Sequence, residues 1–304
     1  MLPFHPATLA DKPWIDAILR NTTERGCEYN FTNLYAWSDL YTLDVARVEG
    51  CLTSFMTGVF GPSYLYPVGG DEHRAILTLY ADARERGNPL RLGCLTPQHL
   101  DRLNEWFPGR FHFHEDRFGW DYLYRVDKLA SLSGKKLHGK RNHIHRFEEA
   151  HPDWTFEVLT PDNLEECREM DRLWFAQNQG GEGAETFEAD SKALAKCLDH
   201  YEEMGLEGGL IRAEGRVIAF TIGEQMGCGD TYDVHFEKAF GDVQGAYPII
   251  NREFARWVQA NHPEVVYLNR EDDMGVEGLR KAKESYYPDL MVPKFSAIQC
   301  KELL

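Results

Sequence analysis

The sequence predicts an α+β fold of mixed, mostly antiparallel sheets flanked by helices, laid out twice along one chain. Three observations carry this. Stretches of helical period alternate with short runs of period two, bounded by glycine and proline turns. The order helices, three-strand meander, helix, strand, helix, strand occurs once before Val126 and again after Leu137. With 304 residues, 43% of them hydrophobic, the chain can bury two cores. A polar stretch from Asp127 to Lys136, loosened by Ser131, Ser133 and Gly134, puts the boundary between residues 1–127 and 128–304.

In the first half, Leu9, Trp14, Ile18 and Leu19 recur at helical spacing and predict a helix over Thr8 to Thr22. Asn30 to Leu40 is a second, aromatic helix. Strands follow at Leu43 to Val48, Leu52 to Val59 and Tyr64 to Val68, cut by Glu49-Gly50 and Gly61-Pro62. Asp71 caps a helix that Gly87 stops. Pro89 to Leu95 is a strand, Pro97 to Phe107 a helix, and Arg110 to Val126 a pair of strands. The second half opens with the helix Leu137 to Ala150, the strand Trp154 to Leu159 and the helix Pro161 to Asn178. After a flexible break at Gln179-Gly-Gly-Glu-Gly183, a helix runs from Phe187 to Met204. Strands at Gly209 to Ala213, Val217 to Gly223 and Thr231 to Glu237 form the second meander. A helix from Gly245 to Ala260, the strand Val265 to Leu268, a helix from Gly275 to Tyr286 and a last strand Leu290 to Phe295 complete the chain.

Lys+Arg 33 against Asp+Glu 49 leaves a formal charge of −16, which repels polyanions except at a local basic patch. The seven cysteines are scattered, with no C-x-x-C pair, as suits reduced thiols. The N-terminus has neither a basic nor an apolar signal region, and no apolar run approaches the roughly 20 residues of a membrane span. A cytoplasmic protein is expected.

Four places can hold chemistry. Phe240 to Tyr247 is a glycine turn opening a helix, read either as ordinary core architecture or as an anion site at Gly245 and Ala246. Asp233 and His235 share one face of a strand with Glu237, a pairing suited to general-base work or to plain polar alternation. The apolar strand ending at Leu268 runs into Asn269-Arg-Glu-Asp-Asp273, and Arg280, Lys283, Tyr286 and Tyr287 follow at helical spacing, with Val276, Leu279 and Ala282 as the packing stripe. An elbow of five polar residues exceeds what capping needs, so function is expected here. The basic run Lys135 to Arg146 suits either a phosphate contact or a solvated face. No further Cys or His completes a four-ligand set around His112/His114 or His143/His145, so no metal is expected.

Lys140-Arg-Asn142 with Phe147, Glu237-Lys238, Gly245-Ala-Tyr247 with Asn251, Asn269-Arg-Glu-Asp-Asp-Met-Gly275, and Gly278-Leu-Arg-Lys-Ala-Lys283 with Ser285-Tyr286 resemble one family. It is the C-terminal catalytic domain of phosphatidylglycerol lysyltransferases, in its soluble, stand-alone branch. The resemblance covers most of the chain and is strongest from Lys135 to Tyr287. It implies two GNAT-like (acyl-CoA N-acyltransferase) domains in tandem, and a transferase that moves an acyl or aminoacyl group to an amine or hydroxyl. The donor is expected to be aminoacyl-tRNA, landing on the Lys135 to Arg146 helix, or acyl-CoA, whose phosphate-loop spacing is echoed by Gln244-Gly-Ala246. On this reading Asp233 or His235 is the base, and Asn269, Arg270, Glu271 and Asp272 orient the substrates. Gln244, Gly245, Ala246, Arg280, Lys283, Lys140 and Arg141 hold the donor's anionic groups. The alternatives are acyl-CoA-dependent N-acetylation and a GNAT-shaped sensor without catalysis.

Overall fold

The computed structural model describes residues 1–58, 61–178 and 184–303. The first half comprises β1 (His5–Pro6), α1 (Lys12–Leu19), α2 (Phe31–Ala36), α3 (Ser38–Tyr41), β2 (Leu43–Val48), β3 (Cys51–Gly58) and β4 (Gly61–Leu65). It continues with α4 (Glu72–Glu85), β5 (Arg91–Leu95), α5 (Pro97–Trp106), β6 (Phe111–Glu115) and β7 (Asp121–Arg125). The second comprises α6 (Val126–Ser131), α7 (His138–Ala150), β8 (Thr155–Val158), α8 (Leu164–Asn178), α9 (Ala184–Asp199) and α10 (Tyr201–Met204). Then come β9 (Glu207–Ala213), β10 (Arg216–Gln225), β11 (Thr231–Ala239), α11 (Ala246–Asn261), β12 (Tyr267–Asn269), α12 (Glu277–Glu284), β13 (Leu290–Val292) and β14 (Phe295–Gln299). The break expected at Gln179 to Gly183 lies outside the described residues.

The doubled layout is present in the pairing. β2, β3 and β4 form an antiparallel meander, and α4 returns the chain to β5, parallel to β4. In the same way β9, β10 and β11 form a meander, and α11 leads to β12, parallel to β11 with Asp233 opposite Asn269. The result is two mixed sheets flanked by helices, ordered β1-β2-β3-β4-β5-β14-β6 and β13-β7-β12-β11-β10-β9-β8. One place in from an edge of each sheet stands a strand from the other half: β7 lies between β12 and β13, and β14 between β5 and β6. A cut after residue 127 therefore parts β7 and β14 from their sheets. The stretch expected as one last strand, Leu290 to Phe295, is two strands in two sheets. Pro293 has no N–H to give a ladder, and the buried Lys294 between them is held by Asp121 and Glu28.

α11 covers one face of the second sheet with Ile250, Phe254 and Val258, all buried, and Tyr232 meets Phe254 edge-on at 5.7 Å between centroids. Each such side chain contributes about 1.5–3 kcal/mol by leaving water. Tyr247, at the helix start, is exposed. α12 departs further, because it buries none of its residues and Leu279 is exposed.

A β-bulge in β11 redirects its side chains. Gly223 pairs with Val234 and Ile222 with Phe236, so His235 is the extra residue. Before it, Tyr232 rests on α11 and Asp233 faces Asn30 of α2. Past it, Glu237 meets Asn251 of α11, whereas Lys238 meets Asp171 and Asp190 of α8 and α9. Strict alternation puts Glu237 with Asp233 and His235; the bulge sends it to the opposite face.

Candidate active site

The elbow after β12 is shaped by its own side chains. Asn269 Oδ1 accepts from Glu271 N–H at 2.7 Å, Asp272 Oδ1 from Met274 N–H at 2.9 Å, and Asp273 Oδ1 from Gly275 N–H at 2.9 Å. Short polar side chains that bond two residues on stabilise turns, and here they hold Glu271 and Met274 at positive φ, 54° and 52°. Lys283 Nζ donates to the carbonyls of Arg270 and Asp272. Arg280 grips Asp273 with two hydrogen bonds, of 2.9 and 3.0 Å. Lys283 and Arg280, expected to contact an anion, are thus spent on the elbow. Asn269 is likewise occupied, its Nδ2 donating to Arg25 O and to Asp121.

The elbow and β11 meet in a buried polar cluster. His235 Nδ1 lies 3.2 Å from Glu271 Oε1 and its Nε2 lies 3.3 Å from Glu224 Oε1, with Asp233 Oδ2 at 3.8 Å from Nδ1. Asn30 donates to Asp233 at 2.7 Å and Asn33 to Glu271 at 2.9 Å, so the first half of the chain closes the cluster. Burial alone lowers an imidazole pKa, but Asp233, Glu224 and Glu271 outweigh it and raise His235 to about 10. Burial also pushes the Asp233 carboxyl well above its ordinary range. The carboxylates around His235 thus favour its protonated form, which argues against it as the base. Beside it Cys27, Glu28 and Asp121 converge on Lys294 Nζ, at 3.4, 2.5 and 2.6 Å. Each cluster carries its own cation.

On the opposite face lies a second centre. β11 and β12 pair over three residues and then part, because β12 stops at Asn269 while β11 runs on to Ala239. Arg270 enters this splay and donates to Glu237 Oε1 at 2.6 Å. Its guanidinium lies 5.2 Å from the Tyr286 ring centroid and 5.9 Å from that of Tyr124, within cation–π reach. Lys140 of α7 stands 4.0 Å over the Tyr286 ring, its ammonium pushed down to about 8 by burial and by Arg270. Among the described residues, two polar atoms here are buried without a partner: the donor Arg270 Nη1 and the acceptor Asn251 Oδ1. Lys140, Glu237, Asn251, Arg270 and Tyr286 stand apart in sequence, yet they are among the residues carrying the family resemblance.

The remaining expected contacts fall elsewhere. Arg141 donates to the carbonyls of Leu132 and Gly134 and so braces the turn before α7. Gly245 (φ 90°) and Ala246 are buried, and a Cβ on Gly245 would sit 2.5 Å from His143 O of α7. With α7 packed there, and Pro248 supplying no N–H, the start of α11 offers no open cradle for phosphates; Gln244 alone is exposed. Asn30, Glu224, Asp121 and Lys294 were not singled out by the sequence reading. Their signal was slight: charged or amide letters inside apolar runs, as in Trp120-Asp-Tyr-Leu-Tyr124.

Residues 19–298 match the family model described as phosphatidylglycerol lysyltransferase, C-terminal. A conserved protein of unknown function from Bacteroides thetaiotaomicron is similar at 36% identity over 99% of this chain and 100% of that one, with a TM-score of 0.90. L-PGS from Bacillus licheniformis is similar in fold, at 15% identity over 97% and 93% of the two chains and a TM-score of 0.68. FemX shares the fold at 9% identity over 97% of each chain, with a TM-score of 0.58. The two-unit GNAT-like architecture expected from the resemblance is the one observed. Among the described residues no helix is long and apolar enough to cross a membrane. The general activity class is acyl or aminoacyl transfer. With most of its length matched, the chain belongs to the phosphatidylglycerol lysyltransferase C-terminal family.

Proposed function

We propose that the chain transfers an aminoacyl group from a charged tRNA to an amine or hydroxyl, and that the splay between β11 and β12 holds the reacting carbonyl. The observation that carries this is the buried, unpartnered Nη1 of Arg270, beside Lys140 and Glu237. Attack on an ester carbonyl develops an oxyanion, and a pre-set, water-poor donor stabilises it. Arg270 takes that part, while Glu237 and Asn251 Oδ1 receive the ammonium of the aminoacyl group. The new bond forms from the acceptor's nitrogen or oxygen to the carbonyl carbon, and the ester bond to the ribose oxygen breaks. Lys140, held near pH 8, takes the acceptor's proton and returns it to the leaving ribose oxygen. The base is placed there because Asp233 and His235 are enclosed by Asn30, Glu224 and Glu271.

Two features favour a tRNA donor over acyl-CoA. The start of α11 is covered by α7. The basic stretch borders the splay, with Lys136 over the Tyr287 ring at 5.0 Å and Lys140 over Tyr286. His138, His143 and Arg146 face solvent as landing points for a phosphate backbone. Incubation with a mixed pool of labelled aminoacyl-tRNAs and amine or hydroxyl acceptors tests this. Label should move to an acceptor, more slowly at higher salt, and Arg270→Lys should abolish the transfer. Aminoacyl-tRNA that decays equally with and without the protein would sink the reading.

A further inference from the structure

A cavity of about 440 Å³ lies where the two halves meet, between the first sheet, the α2–α3 region and the elbow after β12. That volume falls among small-molecule sites, which span roughly 300–1,000 Å³. Its body is apolar, formed by Leu34, Trp37, Leu43, Tyr64 and Leu65. Its rim includes Tyr41, Met56, Phe118 and Met274, which are 43, 36, 48 and 45% exposed. Large apolar side chains gathered at one opening are unfavourable in water and mark a binding place.

One end of the cavity differs in kind. Glu28, Asn33, Glu271 and Asp272 line it, and they offer acceptors with few donors. Glu28 Oε2 and Asn33 Oδ1 are buried and accept no hydrogen bond from the described residues. The Asn33 amide group is already spent on Cys27 O at 2.8 Å and Glu271 Oε1 at 2.9 Å. The nearby cations are spent too: Lys294 on Asp121 and Glu28 Oε1, His235 between Glu224 and Glu271, and Lys283 on the elbow carbonyls. Buried acceptors in folded proteins nearly always find a donor, so the missing donors belong to whatever fills the cavity. We propose that this cavity binds a primary amine carried on an aromatic or bulky apolar body, with its ammonium at the Glu28–Asn33–Asp272 end and its body among Trp37, Tyr64 and Phe118. The Asp272 carboxyl, lifted to about 7 by burial and by Asp121 and Glu271 against Lys294 and Lys283, gains its charge as an ammonium arrives.

The inference stands on this cavity and not on the transfer reading, because Arg270 points to the other face of the elbow. Its test contains no acyl donor, so either reading can fail alone. Calorimetric titration of the full chain with 2-phenylethylamine is compared with 2-phenylethanol, which has the same body without the charge. The amine should bind saturably and at least about tenfold tighter than the alcohol. Asp272→Asn keeps the acceptor for Met274 N–H and should weaken the amine by about tenfold while leaving the alcohol unchanged. Met56→Trp, which narrows the mouth from an exposed strand position, should weaken both. Equal affinity for amine and alcohol, an unchanged amine affinity in Asp272→Asn, or no saturable binding of the amine would each overturn the proposal.

Discussion

Lys294 is the residue on which the exchange of strands between the sheets turns, and replacing it with Met puts that to a quantitative test. Its side chain is 3% exposed, and its ammonium lies 2.6 Å from Asp121 and 2.5 Å from Glu28. Asp121 opens β7, which crosses into the second sheet, and Lys294 precedes β14, which crosses into the first. Met fills a similar volume, so the loss is the cation rather than packing. Removing one partner from a buried pair costs about 3–5 kcal/mol, because the remaining charge is uncompensated. Asp121 retains Cys27 N–H and Asn269 Nδ2 as donors, and burial already raises the Glu28 pKa towards its neutral form. The expected loss is therefore at the lower end, about 3 kcal/mol, a large share of the roughly 5–15 kcal/mol of an ordinary fold. Urea unfolding followed by tryptophan fluorescence should show a lower midpoint at unchanged slope. Asp121→Asn in the same chain should restore part of the loss, since it removes the orphaned charge. A loss under about 1 kcal/mol, or a double variant no better than the single one, would refute the reasoning.

Three further outcomes are expected. The folded chain holds a proton on Asp272 up to about pH 7, while the unfolded chain releases it near its ordinary value. Between these values the folded state binds more protons, so Asp272 costs stability as pH rises. Asp272→Asn should then melt above the parent at pH 8 and level with it near pH 4, and a parent that gains on the variant with rising pH would contradict this. Gly245→Ala forces a Cβ into His143 O at φ 90°, and should lower stability by about 1–3 kcal/mol through the α7–α11 contact; an unchanged melting temperature counts against it. If Lys140 accepts the proton, transfer rises with pH to a plateau above about 8, and Lys140→Met removes both the activity and the rise. A profile governed by a group near pH 6 would move the base elsewhere.

What the letters revealed follows from the range of the interactions involved. The meanders and crossover helices were legible because periodicity is local: Ile250, Phe254 and Val258 announce α11 by spacing alone. The exchange of β7 and β14 was not, because strand partners far apart in sequence leave no local pattern. A lysine inside Met-Val-Pro-Lys-Phe was its one trace. Asp233, His235 and Glu271 meet in one cluster, yet their enclosure depends on Asn30 and Asn33 from the other half. Glu237 was put on the wrong face because a bulge, invisible in the alternation, intervenes at His235. Arg280 and Lys283 read like anion ligands, but cations beside carboxylates and bare carbonyls do the same in a self-braced turn.

On the proposed function, the Arg270 splay binds an aminoacyl ester. Its most direct test is the binding of an adenosine carrying a non-hydrolysable 3′-aminoacylamide, measured by calorimetry on the parent chain and on Arg270→Lys. Saturable binding to the parent is expected, with a loss of about 1.5–3 kcal/mol in the variant, the worth of a charge-assisted hydrogen bond. Equal affinity in the two chains, or binding by neither, would contradict it.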